Sequence, residues 1–114
     1  MKLKDIIEII DGQVVCGQAR LNEDVEACFA SDLMSDVLTL QTSNIALITG
    51  LMNIQTVRTA EMADINYIIL VRKKKILPEV ERIACENNMV VIECPYSMFK
   101  TCGLLYKAGI NPVY

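Results

Sequence analysis

The side chains here that could work on a ligand are hydroxyls, amides, one well-placed aspartate and a run of cations; the 114 residues include no histidine. They fall into four groups, each directly after an apolar run: Ser31 and Asp32; Thr49, Gly50 and Asn53; Arg72, Lys73 and Lys74; and Pro95, Tyr96 and Ser97. If those runs are parallel strands, all four groups lie at their carboxyl ends, where open α/β sheets collect ligands. Hydroxyls, helix starts and cationic side chains on one rim suit an anion such as a nucleotide or a phosphorylated metabolite.

Each group has a plainer account beside it. Arg72-Lys73-Lys74-Lys75 is the only dense charge in the chain. It reads as a phosphate-binding lip or, more commonly for such runs, as a solvated loop that keeps an apolar strand soluble. Thr49-Gly50 precedes a helical segment as a phosphate loop would, but neither G-x-x-x-x-G-K-[ST] nor G-x-G-x-x-G is present, and Gly50 can equally turn the strand into the helix. Asp32 is the one carboxylate placed for acid–base work, and such a residue more often caps the next helix. The five cysteines contain no C-x-x-C pair and mostly sit in apolar segments. They read as small buried hydrophobes in a reducing compartment rather than as metal or cluster ligands. Cys94, beside Pro95, is the thiol marked for a reactivity test. No enzyme, cofactor or metal is expected.

The elements that must position these groups follow from periodicity. Leu3, Ile6, Ile7 and Ile10 form a helical stripe stopped at Asp11-Gly12, with Gly12 expected in the left-handed position past the helix end. Residues 13–17 make a short strand, 18–23 a polar turn, and 25–32 a second strand. Ser31 or Asp32 caps a short helix to about Leu40, with Leu33, Val37 and Leu40 inward. Ile45–Ile48 is a continuous apolar run, as for a strand covered on both faces. Asn53 caps a helix over 54–63, Tyr67–Val71 is a strand, Pro78 opens a helix that Asn87-Asn88 stops, and Val90–Glu93 is a strand. Ser97 caps a last helix with Met98, Cys102, Leu105 and Tyr106 inward, ended by Gly109. Strands near 45, 67 and 90 with one helix between each pair predict parallel crossovers.

Composition sets the outer limits. The chain is 53% hydrophobic, enough for a core at this length, and its 11 Lys and Arg against 14 Asp and Glu leave a net charge of −3. That acidity argues against a nucleic-acid partner. No run reaches the length of a membrane span and no secretory signal pattern is visible, so a cytoplasmic location is expected, with no membrane partner.

Three segments together resemble the DRTGG domain family: the opening LKDIIEIIDGQVVCG; the central ALITG with the later YIILVRKKKILPEVERIACENNMVVIECPY; and SMFKTCGLL, like the family's closing turn and Thr-containing helix. The resemblance spans about Leu3 to Gly109. It implies an α/β module related to the N-terminal domain of HPr kinase, one that regulates or assembles, often as a dimer. Members occur alone, in phosphotransacetylases, in CBS-domain pyrophosphatases and near iron hydrogenase genes. The resemblance also implies adenine nucleotides as ligands near the CBS-containing cases, and adds Thr101 to the candidate site. Two departures stand out. Leu51-Met52 replaces an acidic-basic pair, and Arg72-Lys73-Lys74 replaces the relatives' Thr-Gly-Gly, which marks a changed ligand or a lost site.

The expectation is therefore one three-layer α/β domain over 1–114, with a mainly parallel sheet of four or five strands and helices on both faces. Its expected function is non-catalytic regulation through an anionic metabolite or adenine nucleotide at the strand ends. The alternative is an interaction or homodimerisation module without a small ligand, accessory to a metabolic or hydrogenase enzyme, using Leu51-Met52, Met98-Phe99 and Tyr114 as exposed apolar surface.

Overall fold

Every residue of Ile45–Thr49 and of Tyr67–Leu70 is buried, which demands cover on both faces of the strands they form. The computed structural model describes residues 1–114 and supplies that cover. The chain runs through α1 (Leu3–Ile9), β1 (Gln13–Cys16), a short 3-10 turn (Gln18–Arg20), β2 (Ala27–Ala30), α2 (Met34–Val37), β3 (Ile45–Thr49) and α3 (Ile54–Met62), then β4 (Tyr67–Leu70), α4 (Pro78–Glu86), β5 (Val90–Glu93), α5 (Met98–Lys107) and β6 (Asn111–Pro112). The strands form one sheet in the order β1-β5-β4-β3-β2-β6. All neighbours are parallel except β1, which runs antiparallel to β5. The sixth strand, β6, is a two-residue addition that the sequence pattern did not signal.

Side-chain alternation divides the core in two. Ile45, Leu47, Ile68, Leu70 and Val91 face one side, where Val37 of α2, Val57 and Ala60 of α3, and Val80 and Ala84 of α4 cover them. Ala46, Ile48, Ile69, Val90 and Ile92 face the other, under Leu3 and Ile6 of α1 and Leu105 of α5. The architecture is three-layer α/β with helices on both faces.

Several local expectations are met by geometry. Asn53 accepts from the Thr56 amide at 2.9 Å while Thr56 Oγ1 accepts from the Asn53 amide, a reciprocal cap on α3. Ser97 accepts from the Lys100 amide at 3.1 Å, Pro78 opens α4, and Gly109 takes φ 104° after α5. Others are corrected. Asp11, not Gly12, holds the left-handed position after α1, with φ 54°. Gly12 is required instead by close packing, because a Cβ there would lie 2.6 Å from Ile92 Cγ2. α2 begins later than expected, and neither Ser31 nor Asp32 caps it: the N-cap is Leu33, with no side-chain bond, and Leu33 is exposed. On α5 the buried residues are Thr101 and Leu105, whereas Tyr106 is 70% exposed.

The cysteine reading is corrected in part. Cys16 of β1 and Cys85 of α4 are joined as a disulfide, with Cα atoms 5.5 Å apart and 69 residues between them in sequence. Only the tertiary packing of α4 on β1 brings them together, so no local spacing announced the pair. Cys28, Cys94 and Cys102 are free. Burial raises both the Cys28 thiol, to about 12, and the Cys102 thiol.

Candidate functional site

The parallel strands place the four candidate groups at one end of the sheet, but local bonding splits them into three sets. The first is a closed network. Thr49 Oγ1 donates to Asp32 Oδ1 at 2.8 Å, and the Gly50 amide donates to the same oxygen at 2.7 Å. Arg72 Nη2 reaches the Gly50 carbonyl at 3.4 Å, and a Cβ on Gly50 would stand 2.6 Å from that guanidinium. Gly50 is thus a close-approach position whose amide is already satisfied. The Gly50 amide, then the Thr49 hydroxyl and the Arg72 charge, hold the Asp32 carboxyl below its ordinary pKa. This network ties the ends of β2, β3 and β4 together.

The second set serves helix starts and the interior. Asn53 and Ser97 are the caps already described, and Ser31 Oγ accepts from the Leu33 amide at 3.0 Å. Thr101 is fully buried and donates to the Ser97 carbonyl at 2.8 Å. The Tyr96 ring carries Lys100 Nζ 3.9 Å from its centroid. Cys94 is also closed in, with Sγ 3.3 Å from the Ile10 carbonyl oxygen and 3.4 Å from Thr101 Oγ1. It lacks the exposure a reactive thiol needs.

The third set is an open groove of about 530 Å³ over the carboxyl end of β5. Lys73, Lys74 and Lys75 form one wall, Asp11, Gly12 and Gln13 the other, and Glu93, Cys94 and Pro95 lie between. The second wall exists because β1 is antiparallel, so its first residue sits where the parallel strands end. Sequence reasoning missed Asp11, Gly12 and Gln13 for that reason, since nothing local reports the direction of β1; it also missed Glu93, at the end of β5, as part of the candidate site. Glu93 is engaged by Lys75 Nζ at 3.3 Å and by the Ile76 amide at 2.9 Å. Lys73 and Lys74 are exposed and carry no ion pair.

The backbone under these lysines is unusual. Arg72 and Lys73 are consecutive left-handed residues, φ 67° and 59°, a conformation that side chains other than glycine's disfavour. Successive amides in such turns often cradle anions. Here they do not, because the Arg72 amide donates to the Tyr96 carbonyl at 2.7 Å and the Lys73 amide to the Cys94 carbonyl at 3.2 Å. Neither amide is free to meet an anion, and the charge on this wall is that of the lysine side chains. No group of three or more carboxylates and thiols gathers to hold a metal ion.

A model of the DRTGG domain matches residues 5–108. The chain belongs to the DRTGG domain family. Among solved structures, this DRTGG domain is similar to the CBS and DRTGG domains of the regulatory region of a Clostridium perfringens pyrophosphatase, complexed with its activator diadenosine tetraphosphate. The TM-score is 0.73 at 14% identity, over 98% of this chain and 48% of that one. At that identity the likeness establishes the shared fold, and this DRTGG domain spans about half the length of the chain it matches. No curated protein matches it. No helix is long and apolar enough to cross a membrane.

Proposed function

We propose that this DRTGG domain is a non-catalytic regulatory module that binds an anionic, phosphate-bearing metabolite in the groove between Lys73-Lys74 and Gln13. The observation that carries the reading is the pair of unpaired, exposed lysines on the wall of a groove lined mainly by polar and charged residues. Each is free to meet a phosphate oxygen without first breaking an ion pair. Charged and polar side chains make up most of its lining, with one hydrophobic residue among nine, so the phosphates provide the main recognition in this reading. A nucleotide held by its polyphosphate fits this, and the diadenosine tetraphosphate complex of the similar pyrophosphatase region is consistent with it.

The test is thermal unfolding against a panel of nucleotides, dinucleotides and acyl phosphates. A ligand present at 100 times its Kd stabilises by about 2.7 kcal/mol, a rise of roughly 10 °C in a domain of this size. Lys73→Ala combined with Lys74→Ala should abolish the shift. A ligand that binds the double variant as tightly as the wild type removes the groove from consideration.

One observation favours a second reading, a homodimeric or partner-enzyme interaction module. Phe99 is 90% exposed on α5, one helical turn from Gly103, where an added Cβ would meet nothing, and Tyr106 continues the same face. Sedimentation of wild type and Phe99→Asp across micromolar concentrations separates the two readings. A monomer at every concentration excludes self-association.

A further inference from the structure

The two walls of the lysine groove lead into the two elements that the disulfide joins. One wall ends in Gln13, the first residue of β1, and Cys16 closes that strand. The other ends in Lys75, three residues before Pro78 opens α4, and Cys85 lies near that helix's end. β1 is an edge strand with one neighbour, β5, and its register slips between Val14 and Cys16. A short, irregular edge strand has few bonds of its own to keep it ordered. Its one covalent tie to the rest of the fold, other than the chain itself, is the bond to Cys85.

We infer that the Cys16–Cys85 disulfide is a thiol-operated switch on the order of β1, and through Gln13 on the groove; the second half rests on the anion-binding reading above. The two cysteines are unequal in a way that suits such a device. Cys16 is buried, while Cys85 is exposed. Exposed disulfides are the ones that exchange readily, whereas fully buried ones resist.

The operating reagent is a dithiol, small or protein-borne. One of its thiolates attacks the Cys85 sulfur, the Cys16–Cys85 bond breaks, and Cys16 leaves as a thiolate that takes up a proton. The dithiol's second thiolate then attacks the mixed disulfide and releases Cys85 as a thiol. The dithiol ends as a disulfide, and the protein gains two electrons and two protons. With the tie open, the edge strand is held by its β5 pairing and packing alone, and Gln13 is in place for a smaller fraction of the time. Apparent affinity falls by that same fraction.

The experiment compares the full chain oxidised, reduced with dithiothreitol, and as Cys85→Ser, which replaces the exposed partner and leaves the buried one in place. Amide hydrogen exchange is read at residues 13–16 against β3 and β4, and binding is read with inorganic tripolyphosphate. Reduction should speed exchange at 13–16 by about tenfold or more while β3 and β4 stay protected. It should also weaken tripolyphosphate by about threefold or more. Cys85→Ser should match the reduced protein on both counts. Failure of the oxidised protein to form the bond, or equal exchange at 13–16 in both states, overturns the switch. Faster exchange with equal tripolyphosphate affinity overturns its coupling to the groove. If tripolyphosphate binds neither state, the anion reading fails by itself and the exchange comparison still decides whether the disulfide governs β1.

Discussion

At the scale of single residues, the side chains that look most functional are largely structural, and their titration exposes this. Asp32 joins the ends of β2 and β3 by accepting from Thr49 and Gly50. Asp32→Ala leaves the buried Thr49 hydroxyl with a weaker partner, so a loss of about 1–2 kcal/mol is expected, with Asp32→Asn losing less. Because the folded carboxyl titrates below its ordinary range, its stabilisation is complete above that range and fades as pH falls through the folded value. Urea midpoints of wild type and Asp32→Ala should therefore converge in acid, as pH falls below the ordinary carboxylate range and through the lowered folded value. Tyr67 gives the opposite sign. Burial, then the bond from its hydroxyl to Glu23 Oε1 at 2.7 Å, raises its pKa to about 12 from an ordinary 10.0. Its contribution is intact below the ordinary value and is lost as pH rises toward the folded one. Tyr67→Phe should flatten the alkaline limb of the stability profile, measured by urea unfolding from neutral pH upward. A wild-type limb that is already flat would show that the tyrosinate is tolerated.

At the scale of elements, the turn after β4 sets stability against binding. Lys73 at φ 59° bears a left-handed cost of about 1 kcal/mol, which glycine avoids while adding backbone entropy to the unfolded chain. Lys73→Gly should therefore raise stability by roughly 0.5 kcal/mol and weaken anion binding, whereas Lys73→Ala should weaken binding with no such gain. Calorimetry of the two variants with and without tripolyphosphate checks both. A destabilised Lys73→Gly would mean that the lysine side chain itself holds the turn. The same turn shows what the sequence made legible. The strands at 45, 67 and 90, the stripe of α1 and the caps Asn53 and Ser97 were readable because each depends on neighbours within one or two turns. The lysines could be named as candidates, but their wall could not, since Gln13 meets them only through the antiparallel pairing of β1 with β5. Leu33 and Tyr106 were expected inward and lie outside, because α2 is a single turn and α5 buries a narrow stripe through Thr101 and Leu105. The disulfide was invisible for a third reason: its partners share no local segment.

At the scale of the whole molecule, the disulfide and the double-sided core stabilise through different states. The core acts on the folded chain: Ile69, Leu47 and their neighbours lie at 0% exposure with helices on either side. The disulfide acts mainly on the unfolded chain, by closing a loop that spans the 69-residue separation of its ends. In the chain-entropy account such a loop contributes about 4 kcal/mol, an upper value because unfolded chains keep some order. Reduction should therefore lower Tm by about 10 °C or more without abolishing folding, since Cys16 is one member of a core of 15 buried residues on that face and stays buried as a thiol. Cys85→Ser should lie close to the reduced protein, because its exposed site loses little packing. Scanning calorimetry on the oxidised chain, the reduced chain and this variant tests the division. If the reduced chain unfolds outright at room temperature, the core alone is too weak and the disulfide is a structural requirement. If its Tm barely moves, the unfolded chain already holds β1 near α4, and the bond acts on local order at the groove rather than on global stability.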